Sequence, residues 1–172
     1  MTLLTDEVRS YIGREGPTFS ACDAVEAGAV RRYAQAIMDP DPAYASDQAG
    51  VRYGGAVAPP LYPSFMFRTP FDTPDVLTER AHDPDFDGIV MGVGNGLPEL
   101  PLHGLALLNG GAEVEFLAYA RHGERVLQKS RFADIQEKQT KSGPMLLVII
   151  ETEFTNEAGQ LLLRSRKTII RR

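Results

Sequence analysis

The chain has 172 residues, 43% of them apolar and 24% charged, a length and balance that fit one globular domain spanning residues 1–172 and leave little room for two. Its 18 basic and 23 acidic residues give a formal net charge of −5, which is no electrostatic footprint for nucleic acid. The single cysteine, Cys22, excludes an internal disulfide and a thiolate-only zinc site, so a reducing, cytoplasmic setting without a metal is expected.

Residues 1–16 carry acids and bases among their apolar positions and lack an apolar h-region, so no signal peptide is expected. No apolar run approaches the roughly 18 residues of a membrane span. After a short strand-like piece beginning at Thr18, the apolar residues Ala27, Val30, Tyr33/Ala34 and Ile37/Met38 recur at three- and four-residue steps. That spacing predicts an amphipathic helix over Ala27–Met38. Asp39-Pro40-Asp41-Pro42 ends it, because the prolines remove donors and push their predecessors out of the helical region.

Of the 28 glycines and prolines in the chain, 18 fall in the 62 positions from Gly50 to Gly111. Long regular elements cannot run through such a stretch. Leu61 to Phe67 and Ile89 to Val93 nevertheless bring apolar material that linkers lack, so the segment reads as an ordered, irregular, Gly/Pro-rich cover. The last third is β: Glu113 to Ala118, Arg125 to Glu137, Met145 to Thr155 and Gln160 to Ile170 are strand-length runs separated by Gly-containing turns. Leu146 to Ile150 is continuously apolar, as in a central strand buried on both faces. Leu163, Ser165, Lys167 and Ile169 read as half exposed. Helix, cover and antiparallel meander make an α+β domain.

Four segments, 30–44 (VRRYAQAIMDPDPAY), 53–60 (YGGAVAPP), 110–116 (GGAEVEF) and 151–160 (ETEFTNEAGQ), resemble the MaoC-like hydratase/dehydratase family, in particular its N-terminal MaoC-like dehydratase domain subfamily. The resemblance implies a hot-dog fold, a curved antiparallel sheet wrapped around a central helix, acting on acyl thioesters of coenzyme A or a carrier protein. No cofactor beyond the thioester substrate is implied. Active members add water across a trans-2-enoyl thioester or reverse that reaction. Their signature is Gly-Asp-x-Asn-Pro-x-His, in which Asp and His bind and activate the water. Water is a poor nucleophile, so a base must take its proton while an acid supplies one to Cα.

Asp39 stands at the aspartate position, but Met38 replaces the glycine, Asp41 the asparagine and Tyr44 the histidine. A tyrosine near its usual pKa of about 10 accepts no proton at neutral pH. The resemblance therefore implies a half that has lost its catalytic pair, accommodates the acyl chain, and works as a homodimer or as a heteromer with a catalytic MaoC-like chain. A self-sufficient enoyl-CoA hydratase, a hot-dog acyl-CoA thioesterase and a non-enzymatic acyl-binding module remain alternatives.

Candidate catalytic positions are Asp39, Tyr44 and His103. Substrate-binding candidates are Asp41, Pro42, Tyr53, Gly54, Pro59, Pro60 and Gly104. Against the catalytic reading, Asp39 and Asp41 suit carboxylates that cap the amides after a helix, and Tyr44 suits a partly buried residue with a satisfied hydroxyl. His103-Gly104 lies before the apolar Leu105 to Leu108 and would suit a thioester-oxygen site beside a helix start; a lone histidine is more often structural. His82 and His122 have no such context. Asp83 to Gly88 matches half a calcium loop, but its twelfth position is Gly94 rather than glutamate. The run Gly92 to Gly96 lacks the helix of a dinucleotide loop. Arg164, Arg166, Lys167, Arg171 and Arg172 form a basic run that either meets coenzyme A phosphates or protects a sheet edge.

Overall fold

Alternation and turn residues in the last third produce a sheet. In the computed structural model, which describes residues 2–67, 73–74, 76–84 and 95–172, β1 (Phe19–Ser20), β2 (Leu107–Phe116), β3 (Val126–Thr140), β4 (Gly143–Asn156) and β5 (Leu161–Arg171) form it in the order β1-β3-β4-β5-β2. Every pairing is antiparallel. Lys141 and Ser142 alone turn β3 into β4, with Gly143 at φ 115° accepting a conformation other residues resist.

β4 is the middle strand, as its apolar run predicts, but its two faces differ. Leu146, Val148, Ile150 and Phe154 are buried on the inner face, whereas Leu147 and Ile149 on the outer face are half-buried. The run is therefore not covered on both sides. Farther along the outer face the residues turn ionic: Glu151 pairs with Arg131 at 2.7 Å and Arg166 at 3.3 Å, and Arg164 bridges Glu153 and Glu115.

β5 also departs from expectation. It lies between β4 and β2 rather than at an edge, and Leu163 and Ile169 are buried while Lys167 is exposed. Glutamates of the neighbouring strands pair with Arg164 and Arg166. Arg171 is itself buried and donates from Nη2 to the Leu102 carbonyl at 2.7 Å.

The predicted helix is α2 (Ala27–Ala36), following a short α1 (Asp6–Arg9) that the sequence pattern did not announce. Thr5 caps α1 by accepting from the Val8 amide, and Val8 is buried. The Glu137 carboxylate accepts from Thr2 and the Leu3 and Leu4 amides, tying this start to β3. On α2 the buried stripe stops at Val30 and Ala34. Ile37 and Met38 are exposed because the chain leaves the helix there.

The Gly/Pro-rich segment contains single-turn 3₁₀ pieces, Val51–Tyr53 and Tyr62–Phe65, and α3 (Val76–Arg80). It ends earlier than expected, since Leu107 to Gly111 already belong to β2. The acidic run Asp83 to Gly88, the apolar piece Ile89 to Val93 and the glycine run Gly92 to Gly96 lie wholly or partly outside the described residues.

Buried side chains fall into two clusters under the sheet. The first gathers Val30, Ala34, Tyr44, Val57 and Tyr62 against Val126, Phe154, Leu162 and Leu163. The second gathers Val8, Leu97, Leu100 and Leu102 against Phe132, Ile135, Leu146, Val148, Ile150 and Ile169.

Candidate functional site

The end of α2 sets the site. The Met38 amide donates to the Gln35 carbonyl at 3.2 Å and the Asp39 amide to the Ala34 carbonyl at 3.0 Å. These are the two bonds of a Schellman cap, and the residue between them must turn left-handed. That residue is Met38, with φ 56°. A side chain there costs about 1 kcal/mol relative to glycine, which gives a physical reason for glycine at this place in the Gly-Asp signature. Met38 nevertheless points outward, 87% exposed.

The cap swings Asp39 into the following turn. Asp39 Oδ1 accepts from the Asp41 amide at 3.2 Å, and Asp41 Oδ1 accepts from the Ala43 amide at 2.9 Å, capping the 3₁₀ turn Pro42–Tyr44. Both carboxylates thus have the capping role that their spacing permits. The remaining oxygen, Asp39 Oδ2, accepts from the Tyr44 hydroxyl at 2.9 Å. Tyr44 is buried, and its pKa is held well above the usual tyrosine value, first by burial and then by the hydrogen bond to Asp39. It is a fixed donor, and no base.

Around this pair lies a cleft of about 560 Å³ lined by Asp39, Pro40, Asp41, Pro42, Tyr44 and Ala45 on one side and by Ala27, Gly28, Arg31, Ala34, Gln35 and Met38 of the helix and its cap on the other. The volume suits a small-molecule ligand. Asp39, Tyr44, Asp41 and Pro42 are brought together here. Arg31 and Gln35 join them from the polar side of α2, a face whose i, i+4 spacing was the available signal.

Tyr53 lines a second cavity of about 420 Å³ with Phe116, Leu117, Ala118, Tyr119, Arg121 and Gln160. The Tyr53 and Tyr119 rings lie 4.5 Å apart. Arg52 connects the two cavities: its guanidinium sits 4.5 Å over the Tyr53 ring and 3.9 Å from Asp41 Oδ2. Neither Arg52 nor Tyr119 carried a motif in the sequence. Gly54 borders a third cavity, where a Cβ would approach Arg121 Nη1 to 3.1 Å at a φ of 83°.

Pro59, Pro60, His103 and Gly104 do not line the cleft. Pro59 is fully buried beside the first cluster. His103 is 80% exposed, lies 3.9 Å from Glu99 and follows Leu102 of the second cluster, at the other end of the inner face. No helix starts at Gly104, so the residue pair offers no thioester-oxygen site of the expected kind. No group of three His, Cys, Asp or Glu side chains suited to a metal is present among the described residues. No described helix is long and apolar enough to cross a membrane.

Comparison with known proteins gives these elements a family. The model of the FAS1-like dehydratase domain region matches residues 11–164. No curated protein matches in sequence. Among solved structures, the ChsH1-ChsH2 complex from Mycobacterium tuberculosis matches with a TM-score of 0.65 at 16% identity, covering 95% of this chain and 85% of that one. A MaoC-like dehydratase from Rhodospirillum rubrum matches with 0.59 at 20% identity, covering 94% and 93%. The HadBC (3R)-hydroxyacyl-ACP dehydratase complex from Mycobacterium tuberculosis matches with 0.56 at 15%, covering 93% and 96%. At these identities the structures share a fold, the hot-dog fold, and the family match supplies the rest: the chain belongs to the MaoC-like FAS1 dehydratase-region family.

Proposed function

We propose that this chain is the acyl-CoA-binding subunit of an enoyl-CoA hydratase or 3-hydroxyacyl-CoA dehydratase, lacking the catalytic histidine and completed by a second hot-dog chain. A dehydratase-type role rests on the family. The observation that carries the finer reading is the Tyr44 hydroxyl bonded to Asp39 Oδ2. With Oδ1 on the Asp41 amide, both oxygens of Asp39 are engaged, and the tyrosine that occupies the histidine position holds its proton too tightly to act as a base.

The loop that follows supports the same reading. The amides of Tyr53 to Ala58 are all bound within the protein, and Pro59 and Pro60 have no N–H. That stretch therefore holds no spare donor for an enolate-like oxygen. Neighbours in the hot-dog fold include two complexes of paired chains, which favours division of labour between subunits.

The test is two measurements on the purified chain. Octanoyl-CoA is expected to bind by calorimetry, while trans-2-octenoyl-CoA is expected to keep its enoyl absorbance over hours. Hydration at an ordinary enzymatic rate by the chain alone would sink the non-catalytic reading and favour the self-sufficient hydratase, for which Asp39 in the cleft is the supporting feature. Absence of acyl-CoA binding would sink both.

A further inference from the structure

A left-handed residue other than glycine is uncommon, and where one occurs it is most often asparagine, aspartate or histidine. Met38, at φ 56°, is the only one among the described residues. Glycine at this position would relieve the strain, and packing within the chain does little to offset it, since the side chain is 87% exposed. Backbone strain of this kind collects at ligand clamps and active sites. The question is what Met38 holds.

The cleft supplies the answer. Met38 lies on its wall next to Asp39. The other aliphatic lining residues, Ala27, Ala34, Ala45, Pro40 and Pro42, have short or ring-locked side chains, so Met38 brings the one long, freely rotating apolar group to that wall. Its acidic neighbours are already engaged: Asp39 accepts from the Asp41 amide and the Tyr44 hydroxyl, and Asp41 accepts from the Ala43 amide. Those carboxylates have little left to offer a polar ligand group. A thioether on an unbranched chain with three rotatable bonds, by contrast, fits itself to an apolar surface of almost any shape.

We infer that Met38 is the residue that contacts the acyl chain in this cleft: its exposed side chain closes over an alkyl chain held beside the Asp39–Tyr44 pair, and so recognises the acyl group rather than coenzyme A. This rests on the acyl-CoA reading proposed above and names the part of the site that carries the acyl contact. It also accounts for a long apolar side chain standing where the Gly-Asp signature has glycine.

Calorimetry with octanoyl-CoA and with coenzyme A itself, on the wild type and three variants, tests it. Met38→Gly removes the side chain, and Met38→Gln keeps its length but makes it polar. Each is expected to weaken octanoyl-CoA at least about tenfold, the scale set by burying a methionine side chain, and to leave coenzyme A unchanged. Met38→Leu, apolar and of similar volume, is expected to stay within about threefold of the wild type. Because glycine relieves the left-handed strain, Met38→Gly is expected to bind octanoyl-CoA more weakly while melting at a higher temperature, a pairing that general destabilisation does not produce. Octanoyl-CoA held by Met38→Gly as tightly as by the wild type overturns the inference, as does an equal loss of coenzyme A affinity or a loss in Met38→Leu as large as that in Met38→Gly. A wild type that binds no octanoyl-CoA removes the acyl-CoA reading itself, which the wild-type titration alone reveals.

Discussion

The two buried clusters sit under one sheet but differ in kind. The second, from Val8 through Leu146 to Ile169, is mainly aliphatic. The first contains two buried tyrosines with three more packed at its margin, and its wall carries a methionine in a left-handed conformation and two carboxylates tied up by amides. Polar burial and backbone strain cost stability and persist where the surroundings over-determine them. The left-handed Met38 and the tied carboxylates mark the first end as the candidate site, whereas the polar group buried beside the second, Arg171, is bonded to the Leu102 carbonyl.

Substitutions can break that contrast. The largest effect is expected from Leu146→Ala, which empties a fully buried site in the scaffold cluster; urea unfolding should show a loss of about 3 kcal/mol, with acyl-CoA affinity of the folded fraction unchanged. An affinity change of tenfold or more would show that the two ends are coupled. Tyr44→Phe leaves Asp39 Oδ2 without its donor and is expected to lose about 1–2 kcal/mol, with ligand affinity changed as well, because the pair lines the cleft.

Met38→Gly moves the other way. It relieves the left-handed strain and removes little packing, so thermal unfolding should rise by about 2–4 °C; an unchanged or lower Tm would mean that Met38 makes a contact offsetting its backbone. The smallest signature is in pH. Tyr33, Tyr44, Tyr62 and Tyr119 all have raised pKa values, chiefly through burial. Because the folded state favours their protonated form, their contribution is complete below about pH 10 and is lost as pH climbs above it. Stability should therefore fall on the alkaline side, and less steeply in Tyr44→Phe.

Much of this was legible from residue types alone. The period of Ala27 to Ala34 announced α2, and Gly- and Asn-containing turns separated the strands, because helix and hairpin signals are local. The Asp39 to Tyr44 stretch showed both its capping chemistry and its missing histidine. What failed were statements about distance between segments. His103 looked serviceable beside a glycine, yet it lies with the aliphatic cluster and in solvent. The basic run of β5 looked like an edge, yet β2 lies beyond it.

Length, charge, the helix, the strands and the departure from the Gly-Asp-x-Asn-Pro-x-His signature were determined by the sequence itself, since each depends on residues within a few positions of one another. Only the tertiary structure decided that the Tyr44 hydroxyl occupies Asp39 Oδ2, that Met38 is the left-handed residue of a Schellman cap, that Arg52 stands between two cavities, and that β2 is the open edge. Those facts depend on hydrogen-bond direction, backbone sign and strand order, and composition and periodicity carry none of the three.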